Sequence, residues 1–121
     1  ERMWNIFSNI GAYRKYVNEY FGKYDLLLSP TLAVPAFDIG DEPDVIGGKK
    51  VPHRLWGFTP FTYLFNLTGN PGASAPAGFS SEGLPIGLQI VGDMKYEVTV
   101  LAASAAFEDA RPWADKRPPV S

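Results

Sequence analysis

The chain of 121 residues has no cysteine and only one histidine, His53. Because the chain has no thiol group, it cannot form disulfides, thiolate metal sites or cysteine nucleophiles. One histidine cannot form a zinc site by itself, and His53 follows a proline in a stretch rich in turn-forming residues. We therefore expect His53 to lie at the surface, and we expect neither a metal nor a cofactor.

The sequence also lacks clusters of one charge and long apolar runs. Its 11 basic and 13 acidic side chains leave a net charge of −2, and the basic ones occur singly or in pairs. This distribution argues against a nucleic-acid or anionic-membrane partner. The longest apolar stretch, residues 98–107, is interrupted by two polar residues and is shorter than the roughly 20 residues that span a bilayer. We expect a soluble, cytoplasmic protein.

Apolar residues recur every three or four positions from the first residues onward and predict a helix that ends at Gly22. No residue that could cap this helix precedes Glu1, so the helix enters the sequence uncapped. This pattern suggests a segment of a longer protein. A disordered or removed N-terminus is the alternative.

Three segments have the composition of strands. The apolar run at residues 26–28 stops at Pro30 and predicts a strand that is covered on both faces. Apolar residues alternate with other residues over positions 84–91, which predicts a second strand. The small residues at positions 73–78 form the third, and we expect these last two strands to pair in antiparallel fashion.

Two further helices are predicted. Thr59 can cap a short helix that ends at Gly69, and Asp93 can cap a final helix at about residues 95–110. Residues 32–57 have no clear periodicity and are rich in proline, glycine and acidic residues, which is typical of a functional or mobile loop. The order of elements predicts the α/β class, with at least three strands of a mixed sheet.

The residues contain no complete catalytic set. Residues 72–76, Gly-Ala-Ser-Ala-Pro, match the nucleophile elbow of serine hydrolases for three residues but lack its final glycine. The acidic residues between Asp38 and Asp44 lack the spacing of a calcium loop. No phosphate-binding loop or dinucleotide fingerprint occurs. We therefore assign no residue of the chain a catalytic role.

A longer pattern resembles a known family. Residues 58–92, FTPFTYLFNLTGNPGASAPAGFSSEGLPIGLQIVG, look like the C-terminal signature of the amidase signature family. The matched positions are Thr62, Asn66, Gly69, Pro71, Pro76, Gly78, Gly83, Leu84, Pro85, Gly87, Leu88 and Gln89. Residues 24–31, YDLLLSPT, and a tail with Pro-Trp at 112–113 and Arg-Pro at 117–118 are similar as well. The resemblance covers nearly the whole chain.

The resemblance implies a fold and a mechanism. Family members are amide hydrolases with an α/β/α domain around a mixed sheet, and they use a serine nucleophile, a bridging serine and a lysine base. The glycine- and serine-rich stretch that carries the serines does not occur in these 121 residues. The resemblance therefore implies that residues 1–121 are a C-terminal segment of an amidase domain, without the Ser-Ser-Lys triad and inactive alone.

The resemblance also nominates site residues. Thr31 and Asn66 are expected in the wall of the substrate pocket, and the alternative is a structural role, with Thr31 as a cap and Asn66 bonded to strand backbone. In either case we expect Asn66 to belong to a buried polar network. Gln89 is expected to be a satisfied buried amide. In the glutamine-using members an acidic residue stands at the position of Thr59, so this residue argues against a glutamine-using subunit.

Together these features predict part of an amidase that hydrolyses a small-molecule carboxamide to an acid and ammonia or an amine. One alternative is the glutamine-hydrolysing subunit of a tRNA-dependent amidotransferase. The other is a non-catalytic α/β module that only binds a partner. We also expect a homo-oligomer, because the family's sheet continues beyond the strands present here and the apolar run at residues 26–28 would leave an uncovered edge.

Overall fold

A computed structural model describes residues 2–117 of the chain. The elements are, in order, α1 (Arg2–Phe21), β1 (Leu26–Pro30), β2 (Val45–Ile46), β3 (Lys49–Lys50), α2 (Arg54–Gly57), α3 (Tyr63–Thr68), β4 (Gly72–Phe79), β5 (Pro85–Gly92) and α4 (Glu97–Ala110). The predicted start of the first helix at Glu1 and the tail beyond Arg117 lie outside the described residues. No helix within residues 2–117 is both long enough and apolar enough to cross a membrane.

Strand β5 is the centre of a three-stranded sheet with the order β1-β5-β4. It runs antiparallel to both neighbours, with Ser29 and Ser74 standing opposite Gln89 on either side. The predicted antiparallel pairing of the two C-terminal strands is thereby confirmed, and so is the α/β class. Every strand pairing among the described residues is antiparallel.

Helices cover both faces of this sheet because the side chains of β5 alternate. Val91 packs with Val17 and Phe21 of α1 and with Phe65 of α3 on one face. Ile90 packs with Ala75 of β4 and Val100 of α4 on the other face. The result is three layers in the order helix, sheet, helix, as expected when each apolar face of a sheet must be buried.

Strand β1 differs from the expectation in its burial. It lies at the edge of the sheet, and the side chain of Leu28 is 60% exposed, whereas Leu26 and Leu27 are half-buried against the two clusters. The prediction of burial on both faces is therefore wrong for Leu28 in this chain. The cause is that α4 covers the neighbouring strands on that face but does not reach the outer part of β1.

The long segment before α3 contains more structure than its composition predicts. Strands β2 and β3 form a hairpin whose two-residue turn, Gly47 and Gly48, has positive φ at both positions, as a type I′ turn requires. Thr59 does not cap α3. Its hydroxyl donates to the carbonyl of Trp56 at 3.1 Å, so it closes the end of α2, and α3 begins only at Tyr63. Gly69 ends α3 as predicted.

The final helix also begins later than predicted. The carboxylate of Asp93 accepts a hydrogen bond from the backbone N–H of Met94 at 2.7 Å, and its carbonyl accepts one from Tyr96 at 3.1 Å. Asp93 therefore stabilises the turn that leads into the helix and is not its cap. Helix α4 ends at Ala110, as the sequence predicts.

Candidate functional site

An open groove of about 720 Å³ lies beside the end of β1, on the face of the sheet that also carries α1 and α3. Its lining residues are Pro30, Thr31, Leu32, Ala33, Val34, Pro35, Ala36, Ile46, Phe61, Ser74, Pro76, Pro85, Ile86 and Gly87. One wall is the segment that follows β1, which is held by a hydrogen bond from the N–H of Ala33 to the carbonyl of Phe58 at 3.0 Å. None of the lining side chains carries a charge.

Two hydroxyl groups interrupt the apolar lining. The Oγ1 atom of Thr31 lies 2.7 Å from the Oγ atom of Ser74, a distance at which one hydroxyl donates to the other. The backbone N–H of Thr31 also donates to the carbonyl of Gly87 at 2.9 Å, which fixes the start of the loop on the central strand. The pair thus spans from one edge of the sheet to the other, across β5.

A buried amide lies next to this pair on the same face. Gln89 is 6% exposed, and its Nε2 donates to the hydroxyl of Ser29 at 3.2 Å and to the carbonyl of Phe61 at 3.0 Å. The prediction of a satisfied buried amide is confirmed. Because the second bond holds the backbone of Phe61, Gln89 positions a residue that lines the groove.

Phe61 separates the groove from a second cavity. This cavity of about 310 Å³ lies between α1, α3 and β1 and is lined mainly by aromatic and aliphatic side chains, with Phe61 between the two spaces. Tyr13 is among its lining residues, and burial raises the pKa of the Tyr13 phenol, with smaller contributions in the same direction from Tyr16 and Tyr63. The neutral phenol is therefore favoured there.

The two predicted pocket residues lie in different surroundings. Thr31 lines the groove, whereas Asn66 lies on α3 with an exposed side chain and is not among the lining residues. Among the described residues the side chain of Asn66 faces solvent and belongs to no buried polar network, so the role expected for it in a longer polypeptide stays a prediction. The buried amide of this region is Asn70, whose Nδ2 donates to the carbonyl of Gly92 at 2.9 Å.

Sequence reasoning missed Ser74 and Asn70. In the sequence Ser74 belongs only to an incomplete nucleophile elbow. Alternation along β4 places it on the face opposite to Ala73 and Ala75, but its position across from Gln89 depends on the register of the strand pairing. Asn70 precedes a proline and the start of a strand, and no local pattern distinguishes it from a turn residue. Its burial follows from the tertiary approach of the end of β5.

The described residues bring together no group of three or more potential metal ligands. His53 is exposed, as predicted. It occupies the N-cap position of α2, but its side chain makes no capping hydrogen bond. Among residues 2–117, the lining of the groove is a concave apolar surface with one pair of hydroxyl groups. Such a combination can bind and orient a small neutral molecule.

The three layers define an α/β protein, and the groove has the volume of a small-molecule pocket. The chain matches the Amidase family over residues 2–101. It is 40% identical over 100 residues to an acylamidase of Rhodococcus erythropolis, covering 82% of this chain and 21% of the relative. It is 42% identical over 100 residues to a glutamyl-tRNA(Gln) amidotransferase subunit of Synechococcus sp. (strain JA-2-3B'a(2-13)), covering 83% of this chain and 18% of that protein.

A solved structure supports the same relationship. The crystal structure of a bacterial aryl acylamidase of the amidase signature family superposes with a TM-score of 0.78 at 39% identity, covering 90% of this chain and 24% of that chain. The chain belongs to the amidase signature family. It spans about a fifth of the length of these two curated relatives, 21% and 18%.

Proposed function

We propose that the chain forms part of the substrate pocket of an amidase that hydrolyses a neutral small-molecule carboxamide to an acid and ammonia or an amine. The observation that carries this proposal is the groove at the end of β1, whose lining is uncharged and largely apolar, in a chain of the amidase family. An apolar lining with few polar groups suits a substrate whose amide is attached to aryl or alkyl groups.

The proposal assigns the chemistry itself to residues outside this sequence. In the family that the sequence resembles, a lysine base acts through a bridging serine on the serine nucleophile, and backbone amides stabilise the oxyanion. In the family the serines and the backbone amides belong to a glycine- and serine-rich stretch that follows the lysine, and the 121 residues do not contain this stretch. The chain would then bind and orient the substrate while the rest of a longer polypeptide cleaves the C–N bond.

The second candidate is the glutamine-hydrolysing subunit of a tRNA-dependent amidotransferase. The 42% identity to the Synechococcus amidotransferase protein favours it. Two features favour the amidase. Glutamine carries an ammonium and a carboxylate, which call for charged partners in a binding site, and the groove lining within residues 2–117 has none. Thr59 stands at the position where the glutamine-using members of the family have an acidic residue, and its hydroxyl donates to the carbonyl of Trp56.

The experiment compares acetanilide with glutamine as substrates of the complete polypeptide that contains these residues. We expect a higher kcat/KM for acetanilide than for glutamine. The release of aniline measures the first reaction, and the release of ammonia measures the second. The opposite ranking would establish the glutamine candidate, and turnover of neither amide would overturn both. The 121-residue chain alone is the matched control and is expected to be inactive. Turnover by the purified chain that serine-directed inhibitors leave unchanged would overturn the assignment of catalysis to other residues.

We also propose that the isolated chain associates with itself. Leu28 is 60% exposed, and the outer edge of β1 has no strand beside it among the described residues. An unpaired edge with an apolar side chain favours pairing with another copy. Light scattering at roughly tens of micromolar should give the mass of a dimer or larger species, and Leu28→Lys should shift it toward the monomer. A monomer with a cooperative melt would contradict the proposal.

A further inference from the structure

The groove contains a polar feature that the proposed function leaves unused. Among the lining residues that the structure describes, only Thr31 and Ser74 have polar side chains, and the two hydroxyl groups contact each other at 2.7 Å. Each comes from a different edge strand or its extension, and they meet above the central strand. Because the rest of the lining is apolar, a ligand in the groove has this pair as its one side-chain hydrogen-bonding partner there.

Gly87 of β5 makes room for the pair. A Cβ atom at this position would lie 2.6 Å from the hydroxyl oxygen of Ser74 and 2.6 Å from that of Thr31. Such distances are shorter than any tolerable contact, so a side chain at residue 87 would force the hydroxyls apart. The two hydroxyl groups therefore occupy a space that exists because the central strand has a glycine at this point.

The pair has hydrogen-bonding capacity left for a ligand. Two hydroxyl groups have two protons between them, and one proton is used in the bond between Thr31 and Ser74. One proton therefore remains to be donated. The described lining supplies no base or charged group that would turn either hydroxyl into a nucleophile. The pair is thus suited to recognition and not to covalent chemistry.

We propose that the Thr31–Ser74 pair is a hydrogen-bonding subsite for a neutral acceptor group of the substrate, such as a ketone, ether or carboxamide oxygen on its apolar part. The inference deepens the proposed function, since it assumes that the ligand of this groove is the amide substrate. It predicts that among amides of equal shape the protein prefers the one with an acceptor oxygen positioned over Gly87.

The test uses two acetanilides of nearly equal shape in the complete polypeptide, one with a 4-acetyl and one with a 4-isopropenyl substituent. The acetyl oxygen accepts a hydrogen bond, and the corresponding methylene group does not. For each protein we take the ratio of kcat/KM for the acetyl compound to kcat/KM for the isopropenyl compound. We expect this ratio to be about 3- to 10-fold higher in the wild type than in the double variant Thr31→Val/Ser74→Ala, which is the range of one neutral hydrogen bond. Comparing this ratio between protein variants cancels the electronic difference between the two compounds.

Three further variants separate recognition from structure. Thr31→Ser keeps the hydroxyl and should keep the preference, whereas Gly87→Ala should reduce it by displacing both oxygens. Ser104→Ala is the matched control, because its hydroxyl donates to the carbonyl of Val100 within α4, away from the groove, and it should leave the preference unchanged. If the double variant does not fold, Thr31→Val and Ser74→Ala are measured singly, and at least one must weaken the preference.

The two proposals can fail separately. Hydrolysis of both acetanilides with the same preference in wild type and hydroxyl-free variants would overturn the subsite and leave the amidase intact. An equal loss of preference in Ser104→Ala would overturn it too. If neither compound is hydrolysed, their dissociation constants are measured by equilibrium dialysis. Tighter binding of the acetyl compound that depends on the pair would then support the subsite, and equal binding would overturn it.

Discussion

The two faces of β5 differ in chemistry although neighbouring residues of one strand form them. Ile90 points to the α4 side, where it is almost fully buried among apolar side chains. Gln89 points to the other side, where its amide bonds Ser29 and Phe61 next to the groove. The α4 face gains its stability from burial of apolar surface, whereas the opposite face uses part of its area to position groups around an open space.

The largest expected effect comes from the apolar face. Ile90→Ala should lower the free energy of unfolding by about 2–5 kcal/mol, because it leaves a cavity at an almost fully buried position of the sheet. Urea unfolding measures the change. Ile39→Ala is the matched control, since Ile39 is fully exposed and its truncation should change stability by less than about 0.5 kcal/mol. Equal losses of stability at the two positions would mean that burial on the α4 face stabilises the protein no more than an exposed side chain does.

The polar face should respond less to a comparable change. Gln89→Met keeps most of the side-chain volume but removes both donated hydrogen bonds, and we expect a loss of about 1–3 kcal/mol. Ser29→Ala removes one of the two partners and should cost less than Gln89→Met under the same urea unfolding conditions. A larger loss for Gln89→Met than for Ile90→Ala would mean that the polar face is the main source of stability.

The smallest expected effect separates two asparagines. Asn70→Ala should cost about 1 kcal/mol, because the carbonyl of Gly92 loses its buried donor. Asn66→Ala should stay within about 0.5 kcal/mol, because its side chain is exposed on α3. Melting temperatures of the two variants provide the comparison. A greater loss of stability for Asn66→Ala than for Asn70→Ala would support the expectation that Asn66 belongs to a buried polar network.

Local signals in the sequence were sufficient for much of the fold. The end of α1 before Gly22, the end of α3 at Gly69 and the pairing of β4 with β5 follow from glycine positions and from alternation, which act over a few residues. The start of α3 could not be predicted in this way. Thr59 has the right chemistry for a cap in either direction, and it bonds backward to Trp56 because the short helix α2 ends there.

The candidate site was predictable only in part, for a related reason. The family pattern predicts Thr31 as a residue of the pocket wall, and Thr31 lines the groove. Its partner Ser74 is 43 residues away in the chain, so their contact depends on the register of two edge strands on β5. No local propensity encodes such a register. The same holds for the burial of Asn70, which depends on the position of Gly92.

The order of strands in the sheet has a consequence for how the chain folds. β4 and β5 are joined by a short turn in which the hydroxyl of Ser80 accepts from two backbone N–H groups, whereas Ser29 of β1 and its partner Gln89 are 60 residues apart. Closing a short loop costs less chain entropy than closing a long one. We expect the β4–β5 hairpin to form in the folding transition state and β1 to dock afterwards. In stopped-flow experiments, Ser80→Ala should then slow folding, and Leu27→Ala should mainly speed unfolding.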